Sequence, residues 1–326
     1  MRFSNAFDKL FPVEVYYCNI QSFSGMNLLV PNIGPIKGWG NPSIELVKNE
    51  QDFLPEICRC IYLSAIDEKI YQFNDTINFQ IKKIYTEMQN LLNKDEDIAF
   101  VVGCAPFGGI AFWLYNENKS ILLSWQHGQE CLVDIKKFKI GNIKLSLKSY
   151  CQELKRSLGI PADTMFLNNG IMNSLMKQYT YRYLISDLAS GGLEDISFNI
   201  ENILFDGTHD KLNNGHLMQY HSAGIPKRIK CKLNIAQTEL SLYYWMNLDS
   251  IINVFERFYG AHPETKADFI IRIDVENKKY ELALYRQGLK EPVVIPESAY
   301  QLIVFKNKFE DYRSENYNQP RGAWIW

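Results

Sequence analysis

Apolar and polar positions recur along the chain in an order that predicts two copies of one β-β-α-β-β unit. From Ile229 to Ile235 every second residue is apolar, and lysine or asparagine fills the positions between them. This alternation is typical of a half-buried strand. The stretch Cys58–Tyr62, 171 positions earlier, repeats the same phase with an arginine between its two cysteines. We therefore take Leu54-Pro55 and Ile225-Pro226 as matching starts of two diverged repeats.

A helix follows the second strand of each predicted copy. These second strands are expected around Lys69–Phe73 and Leu240–Tyr244. Thr76 and Asn247 then stand at matching positions, and both side chains are able to cap a helix by accepting hydrogen bonds from its first amides. Apolar residues recur at helical spacing after each cap, which predicts a helix lying on a sheet. Gly260 is the expected end of the second helix.

Each copy then returns to strands. The expected pairs of strands are Asp97–Val102 with Asp268–Ile273, Ile110–Tyr115 with Tyr280–Tyr285, and Ser120–Trp125 with Pro292–Ile295. Residues Gly103–Gly109 read as a hairpin, because they join two strands and lack the spacing of a phosphate-binding loop. The fold class is thus α+β, with antiparallel sheets. Coincidence is the alternative explanation of the repeat, because the apolar and polar positions of any two α+β segments agree in phase over some stretches.

A different segment separates the two copies. Leu147–Leu158 and Ala162–Leu188 predict helices, whereas Asn199–Gly224 reads as loop, with Asp206-Gly207 as a turn signal. The predicted organisation is an N-terminal α+β repeat at 1–140, a connecting segment of helix and loop at 141–224, and a C-terminal α+β repeat with an aromatic tail at 225–326.

Composition narrows the class of protein. The chain has 326 residues and a net charge of -2, so nothing indicates a nucleic-acid surface. Its seven cysteines show no framework spacing and stand mostly in apolar runs, which predicts free, buried thiols. No apolar stretch reaches the length of a membrane span, and no signal pattern occurs at the start. We therefore expect a cytoplasmic protein, or a periplasmic one if a signal or lipoprotein segment was removed.

The sequence shows no familiar catalytic motif. It lacks both Gly-x-Ser-x-Gly and Gly-x-x-x-x-Gly-Lys, and Cys58-x-Cys60 lies within a predicted strand, where zinc-binding pairs are unusual. His209, His216 and His221 cluster near two aspartates. They are read either as metal ligands or as a polar surface loop. We expect no cofactor, no resident metal and no enzymatic activity.

Candidate binding residues lie where the two copies differ. One is Phe107 in the hairpin Ala105–Gly109, and the three histidines are a second group. A third group is the aromatic tail, in which Tyr312, Tyr317 and Arg321 are of the types enriched at binding hot spots. Alternatively, the tail packs back onto a sheet and covers the core.

Several short motifs give the chain a resemblance to a known family. They are, in order, Gly38-Trp39-Gly40, Leu54-Pro55, Ala105-Pro106-x-Gly108, Trp113-Leu114 and Gln126-x-Gly128-x-Glu130. This order resembles a bacterial family catalogued as domain of unknown function 2931, over about Phe7 to Leu302. Genes of that family tend to lie beside antibacterial effectors of type VI secretion, including lipase-like ones. Many members look exported, and this chain departs from them in having no signal pattern.

The resemblance implies an immunity protein that binds a toxin and blocks it sterically. The expected partner is a cognate bacterial effector, with a lipase among the candidates. One alternative is an enzyme with an unrecognised site around His127, Glu130 and the loop His209–His221. Another is a module that binds a small molecule in the cleft between the copies.

Overall fold

The structure is a computed structural model, and it describes the chain in thirteen stretches. These are residues 2–6, 11–30, 39, 55–78, 86, 98–116, 119–133, 146–157, 167–187, 197–213, 219–235, 238–260 and 262–306. The chain divides into two compact units, Met1–Ser174 and Leu175–Trp326. No helix in the described stretches is both long enough and apolar enough to span a membrane.

In its described residues, the first unit contains nine strands, one complete helix and most of a second helix. The strands are β1 Arg2–Ala6, β2 Val13–Ser22, β3 Asn27–Leu29, β4 Pro55–Ser64, β5 Lys69–Thr76, β6 Ala99–Cys104, β7 Gly109–Tyr115, β8 Lys119–His127 and β9 Gln129–Glu130. Helix α1 covers Leu147–Ser157, and α2, at Asn169–Met176, ends two residues past the boundary. One sheet has the order β3-β2-β4-β5-β9, and in the other β1-β6-β7-β8 are neighbours.

The core of the first unit lies between these two sheets. Alternate residues of β4 and β5, such as Cys60, Tyr62 and Phe73, pack against Phe100 and Phe112 of β6 and β7. The opposite face of β4 and β5 packs against α1. Both faces of this sheet are therefore covered by other elements of the unit.

The second unit contains the remaining strands. They are β10 Tyr179–Asp187, β11 Ser197–Leu204, β12 His209–Asn213, β13 His221–Ala223, β14 Pro226–Ile235, β15 Thr238–Met246, β16 Ala267–Asp274, β17 Lys279–Arg286, β18 Val293–Val294 and β19 Tyr300–Lys306. Helix α3 covers Leu248–Tyr259. The strands β12-β11-β14-β15-β19 are neighbours in that order, and a second sheet has the order β13-β10-β16-β17-β18.

Strand order and direction correspond between the units. In the first unit β1 pairs in parallel with β6, as β10 does with β16 in the second. The other neighbouring strands within each unit pair antiparallel where the structure describes them, and the order β3-β2-β4-β5-β9 has the same pattern of connections as β12-β11-β14-β15-β19. The α+β prediction with antiparallel sheets is confirmed at this level.

Several local predictions are also confirmed. Cys58 and Cys60 are both buried on one side of β4, and Ile229, Cys231 and Leu233 are buried on β14. Asn247 caps α3 by accepting a hydrogen bond from Ser250 N at 3.1 Å, and the helix ends before Gly260. All seven cysteines are free thiols, and six of them are buried. Of the helix predicted after Thr76, Ile77 and Asn78 are described and are not helical, Thr86 is helical, and the rest lies outside the described residues.

Two predictions for the connecting segment are wrong. Within the described part of Ala162–Leu188, α2 is helical, but the helix expected beyond it is a strand. This strand, β10, begins at Tyr179 and alternates buried tyrosines with more exposed residues. The loop expected over Asn199–Gly224 contains β11, β12 and β13. Here polar residues such as Asn202 occupy buried strand positions, so the apolar alternation that marks a strand is interrupted.

Candidate binding groove on the first unit

A groove of about 290 Å³ runs beside the outer edge of β5 in the first unit. Its lining consists of two stretches, Gln72–Asp75 and His127–Cys131. Apart from buried Phe73, half-buried Gly128 and half-buried Cys131, these residues are exposed and carry amide, carboxylate or imidazole groups. The groove therefore offers many hydrogen-bond donors and acceptors.

One end of the groove is closed by β9. This strand pairs with β5 over only two positions, Tyr71 with Glu130 and Gln72 with Gln129. Cys131 N then donates to Ile70 O at 2.9 Å. Glu130 also binds Lys69 at 2.7 Å, and this hydrogen bond raises the pKa of the lysine. These contacts fix the bend between β8 and β9 against β5.

The other end is closed by the side chain of Gln126. Its Nε2 donates to Thr76 O at 3.3 Å, and its Oε1 accepts from Asn78 N at 3.0 Å. Alternate residues of a strand direct their peptide groups to the same edge. The carbonyl groups of Ile70 and Thr76 both point to the outer edge of β5, so the peptide group of Asn74 points there as well. Among the described residues, strand pairing on this side of β5 ends at Gln72. The peptide group of Asn74 thus faces the groove between two closed ends.

Glycines allow the close approach that shapes the groove. Gly128 N donates to Gly108 O at 2.8 Å, and a Cβ on Gly128 would lie 2.8 Å from Gln72 O. Gly108 has a φ of +81°, and a Cβ there would lie 2.9 Å from Gly128 O. A side chain at either position would push the β8–β9 bend away from β5.

Phe107, one of the sequence candidates, lies beside this bend. It occupies the short 3₁₀ turn Pro106–Gly108 with a φ of 60°, which is unusual for a residue other than glycine. Its N–H donates to Asp67 Oδ1 at 3.4 Å, and Asp67 also accepts from the hydroxyls of Ser64 and Tyr71. The Asp67 carboxylate therefore joins the Phe107 turn to β5 next to the groove.

The other sequence candidates do not share this site. His209 is half-buried at the start of β12, opposite Ile203, and His221 lies on β13 with its ring 5.6 Å from that of Tyr181. Both belong to the second unit. His216, Tyr312, Tyr317 and Arg321 lie outside the described residues. In the described part of the chain, no three His, Cys, Asp or Glu residues are arranged to hold a metal ion.

The groove contains a histidine and a cysteine. His127 and Cys131 both line it, which is the pairing that a thiol-dependent enzyme would need. However, burial raises the pKa of the Cys131 thiol, and the charge of Glu130 adds to this effect. A reactive thiol requires a lowered pKa. The raised pKa of Cys131 thus does not mark it as a reactive thiol, whereas the exposed side chains of the groove offer hydrogen bonds to a polar ligand.

Some residues that carry the family resemblance have structural roles. Trp39 packs edge-on against Trp113 with ring centres 4.7 Å apart, and a Cβ on Gly103 would lie 2.7 Å from both rings. Gln126, Gly128 and Glu130 instead close or line the groove. The sequence analysis did not single out Gln72, Asn74, Asp75 and Gln129, because exposed polar residues of these types are common on strands and carry no local signal of a site.

Comparisons with known proteins add no relative: no protein-family model, no curated protein and no solved structure matches the chain.

Proposed function

We propose that the protein binds a partner protein at the groove beside β5 and neutralises it by steric occlusion. The observation that carries this proposal is the incomplete pairing of β5. Among the described residues, its outer edge is paired with β9 over two residues. In contrast, β15, which has the same place in the strand order of the second unit, pairs with seven residues of β19. A loop of a partner that enters the groove would meet the edge of β5 at the peptide group of Asn74, between the two closed ends.

The comparison of the two edges rests on a further proposal, that the units are diverged copies. Support comes from the common order of nine strands and from the burial phase of matching residues such as Cys60 with Cys231. The correspondence extends beyond the β-β-α-β-β segments to β1, β2 and β3, which match β10, β11 and β12 in order and direction.

We further propose that the partner is an antibacterial effector of type VI secretion and that this protein is its immunity protein. Support comes from the resemblance to the family of domain of unknown function 2931, whose genes lie beside such effectors, lipase-like ones among them. The proposed cellular location depends on the partner. A cytoplasmic protein would neutralise a cytoplasmic toxin, whereas an exported form would neutralise a periplasmic lipase.

Co-expression with the effector encoded beside the gene is expected to protect a susceptible bacterium. The two purified proteins should form a stable complex, since a standard interface of roughly 1,600 Å² is within reach of a chain of this size. Survival counts and gel filtration measure both outcomes. Unprotected cells together with separate elution of the two proteins would refute the proposal.

The groove is tested by two changes at one position. Asn74→Pro removes the N–H that faces the groove, and proline is tolerated where a strand N–H points away from its neighbour. Asn74→Ala removes only the side chain. We expect Asn74→Pro to weaken effector binding about tenfold more than Asn74→Ala, as measured by calorimetry. Equal affinities of the two variants would mean that the peptide group of Asn74 does not bind the partner.

A further inference from the structure

Arg228 is a cation of the second unit, and its side chain makes no hydrogen bond or ion pair with the described residues. It lies on β14, on the face opposite to buried Ile229, and is half-buried. Its guanidinium lies 5.3 Å from the ring centre of Trp245, its register partner on β15. Within the described part of the chain, the buried Nε of Arg228 has no acceptor.

The neighbouring acidic group is already engaged. Glu201, on β11, binds Lys230 at 3.2 Å, and Lys230 in turn lies over the ring of Tyr243. Burial lowers the pKa of Arg228, and the charge of Glu201 offsets this effect only in part. Desolvating a cation without a partner is unfavourable for the isolated protein. A group from another molecule would supply the missing interaction.

Arg182 is a matched example from the same unit. Its guanidinium carbon lies 4.6 Å from the ring centre of Tyr220, which is a similar stacking arrangement. In contrast to Arg228, its Nε donates to Asp268 at 2.7 Å. The same chain therefore shows how a stacked arginine is completed by a carboxylate, and among the described residues Arg228 lacks that carboxylate.

We infer that the face formed by Arg228, Lys230, Tyr243 and Trp245 is a docking surface for a protein segment that inserts an aspartate or glutamate against Arg228. Arginine, tryptophan and tyrosine are the residue types that dominate binding hot spots. A guanidinium stacked on an aromatic ring binds a carboxylate through parallel hydrogen bonds. The inference concerns the second unit and does not require the partner to be a toxin.

A protein carboxylate fits this surface better than a nucleic acid does. Glu201 lies on the same face with 40% of its side chain exposed, and it already neutralises Lys230. Among the described residues, the surface thus offers one half-buried cation without a carboxylate partner, beside a fixed negative charge. A chain of phosphates would meet that charge, whereas a single carboxylate need only reach Arg228.

The first test measures the thermal stability of the isolated protein. We expect Arg228→Met to raise Tm by about 3 °C, because it removes an unpaired charge and keeps the apolar stem over Trp245. The matched variant Arg182→Met is expected to lower Tm, because it leaves Asp268 without its ion pair. A fall in Tm for Arg228→Met would assign Arg228 a structural role and overturn the inference.

The second test measures binding of poly-L-glutamate of about 20 residues, at low salt, with an oligo-dT strand of equal length as comparison. We expect Arg228→Met to weaken binding of poly-L-glutamate at least fivefold and Arg182→Met to leave it unchanged. Equal binding by the wild-type protein and Arg228→Met, absence of binding included, would overturn the inference. So would tighter, Arg228-dependent binding of the oligonucleotide, which would indicate a nucleic-acid surface instead.

Discussion

Replacing Asp206 by alanine is expected to lower the free energy of unfolding by about 3 kcal/mol. The carboxylate is fully buried, and it accepts hydrogen bonds from Thr208 N at 2.9 Å, Thr208 Oγ1 at 2.7 Å and Gln178 Nε2 at 2.5 Å. Removing it leaves three donors without this acceptor, two of them in the buried turn. Urea unfolding at pH 7 measures the change.

The matched variant Asp206→Asn separates the hydrogen bonds from the charge. Its carbonyl oxygen keeps the bonds from Thr208, and Gln178 is able to turn its own oxygen toward the new amide. We expect this variant to be at least as stable as the wild-type protein at pH 7. A loss equal to that of Asp206→Ala would mean that the charge itself is required.

The pH dependence of the wild-type protein follows from the same burial. Burial raises the pKa of Asp206 above its ordinary value of 3.8, so the folded state binds the proton more tightly than the unfolded state does. The stabilisation that comes from this tighter proton binding is fully present at pH values below 3.8, the ordinary pKa of the carboxyl group. It is lost as the pH rises through the pKa of Asp206 in the folded state. Relative to Asp206→Asn, the wild-type protein should therefore lose stability as the pH rises above the ordinary value of 3.8. A difference that stays constant as the pH rises would contradict a raised pKa.

Asp206 also illustrates what the sequence alone is able to predict. Asp-Gly is a turn signal, and Gly207 has a φ of 86° in the structure. A second example is β14, whose alternation from Ile229 to Leu233 matches its burial residue by residue. In both cases the information is local, because it depends on adjacent side chains and on backbone preferences.

Strands that depart from simple alternation are harder to predict. In β2 the buried positions are Val13 and Val15, followed by Cys18 and Ile20, so the phase shifts by one residue. The register against β4 shifts at the same place, between Val15 and Tyr17. A bulge of this kind depends on the partner strand. The sequence pattern of β2 therefore reads as irregular.

In β10 the difficulty is of another kind. Tyr179, Tyr181 and Tyr183 alternate as a strand should, and all three rings are buried. The apolar residues of α2 precede them without a glycine or proline between, so no local signal marks the end of the helix. The parallel partner of β10, β16, lies far along the chain, beyond α3. Tertiary pairing thus overrides the local signal.

The groove could not be predicted because its two walls are distant in sequence. Gln72–Asp75 and His127–Cys131 meet only through the pairing of β5 with β9. Polar residues at exposed strand positions are common, so neither stretch by itself indicates a site. Gly108 and Gly128 stand in the sequence motifs. The structure shows why glycine is needed at both positions, because two backbone segments pass there too closely for a side chain.

Replacing Gly108 by alanine is expected to lower the free energy of unfolding by about 4 kcal/mol. Gly25 provides a matched control, because it has the same φ of +81° and a Cβ there would meet nothing within 4 Å, whereas at Gly108 the Cβ would lie 2.9 Å from Gly128 O. Gly25→Ala thus measures only the cost of a left-handed backbone, about 1–2 kcal/mol.

The difference between these two variants isolates the close approach that shapes the groove. Because Gly128 O belongs to the backbone, it is able to move only with the β8–β9 bend, and that movement separates Gly128 from Gln72. Gly108→Ala should therefore weaken effector binding as well as stability, while Gly25→Ala should leave binding unchanged. Chemical unfolding and calorimetry on both variants measure the two effects. Equal losses of stability at the two positions would show that the bend yields without cost and that the groove is not held at Gly108.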